Sequence, residues 1–189
     1  MSLPVISDSG YYDSEDVEKH HVFDKKLAEG LVNFSIKKNI KNLVDLGCGM
    51  GDYVRYLRNK NIDINGFDGN PYTKKITNDL CSVLDLSKPH IFEEKYDYVL
   101  SLEVGEHLPK KFEDIFIQNL HNNNKRGIIL TWAVEGQGGH GHFNERNNDY
   151  IKNKICKLGY TNNVEEENIL RSNTTYPWFK NTVMIFEKN

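Results

Sequence analysis

The stretch Leu43-Val44-Asp45-Leu46-Gly47-Cys48-Gly49-Met50-Gly51-Asp52 constrains the fold of this chain more than any other. The apolar run Leu43 to Leu46 reads as a short buried strand. Three glycines follow at alternate positions, and a helical pattern begins at Tyr53. Glycine tolerates positive φ and lets a ligand approach the backbone where a Cβ would block it. The free N–H groups at the start of the next helix receive polar or anionic groups. A strand, a glycine loop and a helix in this order point to a nucleotide-type ligand; the alternative is a glycine-rich turn that binds nothing.

Spacing separates the loop types. A P-loop requires G-x-x-x-x-G-K-[ST], and neither Lys-Ser nor Lys-Thr follows here. A dinucleotide fingerprint places its third glycine three positions after the second. Here Gly51 comes two after Gly49, and Asp52 occupies the position of that third glycine. The run Asp45-Leu46-Gly47-Cys48-Gly49-Met50-Gly51 resembles the first motif of class I S-adenosylmethionine-dependent methyltransferases. The resemblance implies that Gly47, Gly49 and Gly51 wrap the methionine end of that cofactor, with Asp45 orienting the loop.

A chain of 189 residues is expected to form one domain with a substantial core. The expected organisation is an N-terminal helical lid over residues 1–39 and a Rossmann-like core over 40–189. A net charge of −3 gives no global basic footprint for nucleic acid. No apolar run reaches membrane-span length, and the N-terminus lacks signal-peptide features. Cys48, Cys81 and Cys156 are odd in number and contain no C-x-x-C pair, which argues against a disulfide framework or structural zinc. A cytoplasmic protein with reduced thiols is the expectation. Met1-Ser2-Leu3 is compatible with a vector remnant.

Along the chain, residues 1–13 are polar and read as a mobile lead-in, followed by a helix from an N-cap at Ser14 to Lys38. Phe23, Leu27, Leu31 and Phe34 supply its apolar stripe. His20 and His21 near its start are either a solvated pair or a contribution from a lid over the active site. A helix over 53–61 leads to a second strand, 62–67, which ends at Asp68. Asp68 lies 17 positions past Gly51, close to the roughly 20-residue interval at which an acid accepts the two ribose hydroxyls in such folds. Asn70-Pro71-Tyr72 reads as a turn. A third strand over 82–86 ends at Asp85-Leu86; the resemblance places Asp85 at the adenine amino group and Leu86 by the ring, the alternative being that Asp85 caps a turn.

Strand four, 98–102, leads into Glu103-Val104-Gly105-Glu106-His107-Leu108-Pro109, which resembles the segment after strand four in small-molecule methyltransferases of the class. The resemblance directs Glu103 toward the methionine portion of the cofactor. Pro109 is placed to begin a helix. After strand five, 127–133, comes Glu135-Gly136-Gln137-Gly138-Gly139-His140-Gly141-His142-Phe143-Asn144. In an open α/β sheet this loop lies beyond the carboxyl ends of the strands, where ligands bind. His140 and His142 are candidates for a general base and its acceptor-orienting partner, or for ligands of a metal. His-x-His alone is weak evidence for a metal, because a site needs further ligands, and no residue is assigned as one. A helix through Ile151 and Ile155 stops at Gly159; strands follow over 160–164 and 181–186, with the aromatic run Tyr176-Pro177-Trp178-Phe179 between them.

The alternation of strands and helices gives a doubly wound α/β domain. The resemblance implies the seven-stranded methyltransferase sheet, its last strand antiparallel, and S-adenosylmethionine as methyl donor. An alcohol acceptor requires a base, and a histidine suits that task; His140 is favoured, then His142, with His107 as orienter or base. A narrower resemblance to stand-alone methyltransferases, some with relatives fused to glycosyltransferases, points to O-methylation of a sugar or other small hydroxylated acceptor. A metal-assisted version, with a divalent ion such as Mg²⁺ on vicinal hydroxyls, stands beside it. The rivals are N-methylation of a protein, RNA or small amine, a cofactor-binding regulator without catalysis, and an NAD-dependent oxidoreductase.

Overall fold

The computed structural model describes residues 3–189; the vector-remnant reading of the first three residues falls mainly on Met1 and Ser2, outside that range. Seven strands form one sheet: β1 Asn42–Leu46, β2 Asp63–Asp68, β3 Ser82–Val83, β4 Tyr96–Ser101, β5 Asn124–Leu130, β6 Tyr160–Asn162 and β7 Met184–Lys188. Their order is β3-β2-β1-β4-β5-β7-β6. The first five run parallel, and β7 lies antiparallel between β5 and β6. The seven-stranded, doubly wound sheet with an antiparallel last strand is the expected one. Its strand order reverses between β1 and β4, the point where open α/β sheets bind ligands.

Both faces of the sheet are buried, as βα crossovers require. Leu43 of β1 faces one apolar layer while Val44 and Leu46 face the other, and the same alternation separates Ile129 from Ile128 and Leu130, and Ile185 from Met184 and Phe186. The first layer is completed by helices α1 Lys25–Lys37, α2 Asp52–Arg58, α6 Val164–Ser172 and α7 Pro177–Thr182. The second is covered by α4 Glu113–Asn122 and α5 Asn148–Cys156. A short helix α3, Thr73–Ile76, follows the turn at Asn70.

The first helix departs from expectation. It begins at Lys25, not Ser14, because Asp24 stops it: Asp24 is extended, and its Oδ1 accepts the N–H groups of Lys26 and Leu27. Between Asp13 and Phe23 only Val17 is buried, so no apolar stripe continues there, and a single 3₁₀ turn at Glu18–His20 forms. The lead-in is not free either. Ile6 pairs with Tyr12 across a tight turn, and Gly10 sits against the His107 carbonyl, where a Cβ would lie 2.2 Å from the oxygen. Residues 4–24 thus run as a strap across the carboxyl ends of the strands.

Other boundaries move for local reasons. The third strand stops at Val83 because the chain turns at Asp85, whose carboxylate accepts the Ser87 N–H. The sixth ends at Asn162 because Asn163 caps α6, accepting the Glu166 N–H. Pro177 sits in the first turn of α7, so the aromatic run is helical and the last strand starts at Met184 rather than Asn181. Among the described residues no helix is long and apolar enough to cross a membrane, and all three cysteines are free.

Asp24 is the most heavily used cap. Besides Lys26 and Leu27 it accepts the N–H groups of Thr175 and Tyr176 through Oδ2, at 2.6 and 3.1 Å, fastening α1 to the approach of α7. Burial pushes its carboxyl up, but the hydrogen bonds from Leu27, Thr175 and Tyr176 outweigh burial and hold it below the ordinary carboxylate range. Asp24→Ala is expected to cost about 2–3 kcal/mol of stability near neutral pH, by loss of the cap and exposure of unpaired donors. Because the folded carboxyl titrates lower than the unfolded one, the charge-dependent part of that stabilisation is complete above the ordinary carboxylate pKa. It disappears as pH falls through the depressed folded value. Urea midpoints of wild type and variant, measured from pH 7 down to pH 3, should therefore converge toward the acid end.

Candidate active site

A cleft of about 520 Å³ opens at the carboxyl ends of β1, β2, β4 and β5 and is roofed by the strap. That volume lies in the range of small-molecule sites. Its floor is the glycine loop. Gly47 has φ +90° and Gly49 has φ +51°; a Cβ on Gly47 would lie 2.3 Å from Val104, and one on Gly49 2.5 Å from the His21 ring. Neither position accepts a side chain, so glycine is required for both the backbone geometry and the close approach. Gly51, also at positive φ, is the N-cap of α2.

The acids expected around a cofactor line the same cleft. Asp68, at the end of β2, accepts the Gly49 N–H through Oδ2 and the Asn70 N–H through Oδ1, both at 2.9 Å. Each oxygen has a further lone pair, so Asp68 braces the loop and still presents acceptors. Asp45 is buried beneath the loop; burial, reinforced by Cys81 and Asp68, pushes its carboxyl well up, toward the neutral form. Asp85 lines the far end beside Leu86, yet its carboxylate also accepts the Ser87 N–H and hydroxyl and pairs with Lys88, so it caps the turn.

The opposite end is built by the two segments after β4 and β5. Glu103 holds a left-handed backbone, φ +55°, a strained state for a non-glycine residue. Its N–H is fixed by the Thr131 hydroxyl at 2.7 Å. Three residues on, Glu106 is fully buried with neither carboxyl oxygen hydrogen-bonded to a partner of ordinary geometry. Burial first, then the neighbouring Glu103 charge, pushes its carboxyl well up. Its carbonyl receives the N–H groups of Phe143 and Asn144, which pulls the glycine-rich loop over it. Burial, with the adjacent His142, holds the His107 imidazole down at about 4, so it is neutral at pH 7.

The three candidate histidines separate. His107 and His142 pack edge to face, ring centroids 4.9 Å apart, and one ligand atom each from Glu106, His107 and His142 lies within 4.8 Å of the others. His140 points elsewhere: its Nε2 lies 3.1 Å from the Pro4 carbonyl, and Tyr12 stacks on its ring. His21 lies over Gly49 and lines the cleft with His20, the lid placement rather than the solvated one.

Two contributors carry no strong sequence signal. Tyr12 lies in the segment expected to be mobile, yet its ring contacts His20, His21, His107 and His140. Glu145 accepts the N–H groups of Gly136 and Gly138 and bonds the His142 Nδ1 at 3.0 Å, closing the loop on itself. Its spacing three residues after His142 is the one hint available beforehand.

Residues 19–133 match the family model described as a methyltransferase domain. The chain belongs to that family. A chloroplastic tocopherol O-methyltransferase of Arabidopsis thaliana is 29% identical over 170 residues, covering 82% of this chain and 47% of the relative. A probable chloroplastic tocopherol O-methyltransferase of Oryza sativa subsp. japonica is 31% identical over 127 residues, covering 59% and 34%. The chain thus spans less than half the length of these curated relatives. Magnesium protoporphyrin IX methyltransferase of Synechocystis PCC 6803, crystallised with its S-adenosylmethionine, superposes with a TM-score of 0.69 at 14% identity, covering all of both chains. A glycopeptide N-methyltransferase superposes at 0.60 and 10% identity, covering 86% of this chain and 94% of that one. These structural likenesses establish the class I methyltransferase fold; since both O- and N-methyltransferases share it, the fold does not choose the acceptor atom. The matched family region ends at Ala133, before the histidine loop.

The seating of that loop depends on Gly105. A Cβ there would lie 2.2 Å from the ring of Trp132, which is fully buried and donates its indole N–H to the Asn144 carbonyl at 2.7 Å. Gly105→Ala is expected to destabilise the fold by about 1–3 kcal/mol through overpacking. It should also shift Trp132 emission to the red; unchanged melting and emission would show that the ring has room to move.

Proposed function

We propose that this chain is an S-adenosylmethionine-dependent methyltransferase that methylates a hydroxyl oxygen of a small acceptor. The observation that carries the reading is the cleft itself: a glycine loop at positive φ, braced by Asp68, faces a histidine and carboxyl cluster on the neighbouring strand ends. The family match and the O-methyltransferase relatives support it. The residues fit the cofactor. Gly47, Gly49 and Gly51 leave room for a ligand against the backbone, Asp68 presents acceptors suited to vicinal hydroxyls, and Leu86 offers an apolar wall. A sugar is one member of the acceptor class, beside molecules such as the tocopherol and protoporphyrin in the names of the similar proteins. Cytoplasmic location belongs to the same reading, although the curated relatives are chloroplastic by name.

The cofactor, when bound, would supply a methyl carbon activated by its cationic sulfur. The chain must then hold the acceptor in line, exclude water and receive the hydroxyl proton. The strap supplies exclusion, since Tyr11 lies against Gly69 and Tyr12 spans the histidines. His140 remains the favoured base: a neutral ring that donates Nε2–H to the Pro4 carbonyl keeps an acceptor lone pair on Nδ1. That hydrogen bond fixes the tautomer and the ring plane.

Calorimetric titration with S-adenosylmethionine, S-adenosylhomocysteine and NAD in parallel tests the cofactor. Binding of the first two alone is expected, and binding of NAD alone would sink the reading. Asp68→Ala should weaken binding of either methionine-derived ligand by about 1–3 kcal/mol, through loss of the hydroxyl acceptors and of the brace on Gly49. With a labelled methyl donor and a panel of phenols, sugars and amines, methylation is expected on oxygen. His140→Ala should lower kcat by about 100-fold with cofactor affinity retained. Full activity in that variant on an amine would favour nitrogen chemistry instead.

A further inference from the structure

We propose that Glu106, His107 and His142, with Glu103 beside them, form a divalent-cation site that holds the oxygens of the methyl acceptor. The inference rests on the methyltransferase reading for the purpose of the site, though not for its existence. Three observations carry it, beginning with the cluster, in which one ligand atom from each of the three residues lies within 4.8 Å of the others. Four-coordinate N/O sites with bonds of about 2.1 Å place neighbouring ligand atoms roughly 3.4 Å apart. Closing the cluster around an ion is therefore a matter of side-chain adjustment of about an ångström.

Glu106 supplies the second observation. Its side chain is fully buried, and neither carboxyl oxygen has a partner at full hydrogen-bond distance and angle; the Ala133 N–H, its own N–H and the Glu103 carboxyl are the polar groups near it. Glu103 leaves its Oε1 equally unsatisfied and approaches Glu106. Among the described residues neither carboxyl pairs with a lysine or arginine. Buried polar atoms without partners are rare and expensive. A bound dication satisfies both acids at once.

The third is the support around the ligands. His142 Nδ1 is bonded to Glu145 at 3.0 Å, which leaves Nε2 as the nitrogen to bind an ion. A carboxylate behind a histidine is the usual means of fixing tautomer and orientation at a metal site. Glu145 is itself held by two loop N–H groups, and His107 is hydrogen-bonded to the Gly141 backbone. Gly139 keeps the ring in place, since a Cβ there would lie 2.3 Å from Nε2.

The donor set indicates the metal class. Two imidazoles with one or two carboxylates suit Mn²⁺, Fe²⁺, Co²⁺ or Zn²⁺, whereas Mg²⁺ prefers an all-oxygen shell. With three protein ligands, positions stay open for two acceptor oxygens, as in a vicinal diol or a hydroxyl beside a carbonyl. A cation there favours ionisation of the hydroxyl to be methylated, its proton passing to His140 or to water. The preferred acceptor class is thus a chelating pair of oxygens.

The test uses the full chain stripped with a chelator and titrated with Co²⁺ and Mn²⁺, read by visible absorption and by electron paramagnetic resonance, with S-adenosylhomocysteine calorimetry and thermal melting on every sample. One equivalent of Co²⁺ should bind at micromolar concentration and develop a ligand-field spectrum. Glu106→Gln and His142→Ala should each weaken binding about 100-fold or more, and Glu145→Gln by about 10- to 100-fold. His140→Ala should leave the spectrum unchanged. No binding of either ion by wild type at 1 mM overturns the proposal, as does undiminished binding by both His142→Ala and Glu106→Gln. Should Glu106→Gln melt early, His142→Ala, on a loop, decides alone. S-adenosylhomocysteine binding without metal binding removes the site and leaves the methyltransferase reading standing; the reverse result does the opposite.

Discussion

Where β1, β4 and β5 end side by side, a short chain of buried hydrogen bonds fixes the strand termini against one another. The Ser101 hydroxyl donates to the Leu46 carbonyl at 2.6 Å, the Thr131 N–H donates to the Ser101 carbonyl at 3.0 Å, and the Thr131 hydroxyl receives the Glu103 N–H at 2.7 Å. Ser101 and Thr131 are fully buried, where an unmade hydrogen bond is costly. The links therefore hold the start of the glycine loop, the turn carrying Glu103 to His107, and the histidine loop in one register. They also compensate the strain of Glu103, whose positive φ turns the backbone so that Glu106 and His107 come under the loop after β5.

Asp68 and Glu106, one acid from each half of the cleft, meet different surroundings. In the half under the glycine loop, Asp68 spends its carboxylate on backbone N–H groups. In the other, the N–H groups of Ala133 and of Glu106 itself lie near the Glu106 carboxyl, yet burial and the Glu103 charge outweigh them and push it well up. Glu113 shows what the same chain does when a buried acid is meant to be structural. It receives Lys154, Arg146, Tyr150 and Asn144, and despite burial these partners pull its carboxyl down to about 2. That network fastens α4 to α5 and to the end of the histidine loop. Both acids are nearly inaccessible to solvent, but Glu113 is met by four polar side chains and Glu106 by the Glu103 carboxyl alone.

The core of the fold was legible because its signals are local. Gly47, Gly49 and Gly51 declare a loop conformation by themselves, and Asp68 follows at an interval set by one helix and one strand. The histidine loop was legible as a place, though the division of labour within it was not. His140 and His142 are equivalent in sequence; only the folded chain shows Pro4 beside one and Glu145 beside the other. The strap was illegible for the same reason. Ile6, Tyr11 and Tyr12 are too few and too irregular to form a periodic face, and their partners, Gly141, Gly69 and the histidines, lie far along the chain. Asp24 was hidden by the stripe of Phe23 to Phe34, which continues across it without marking where the helix begins.

The strap also bears on how the two halves act together. Its Ser9 hydroxyl meets Ser87 and its Tyr11 lies on Gly69 at the Asp68 end, while Tyr12 and Pro4 engage His140 at the other. Between these anchors the cover is thin, held by ring contacts and a few hydrogen bonds with exposed Leu3 and Val5 nearby. Segments with few buried apolar contacts open at low free-energy cost compared with core strands. A ligand at either end thus meets the same segment, and any rearrangement of Tyr12 is felt by His20, His21, His107 and His140 together. The same strap thus covers both ends of the cleft, from Ser87 and Gly69 to His140.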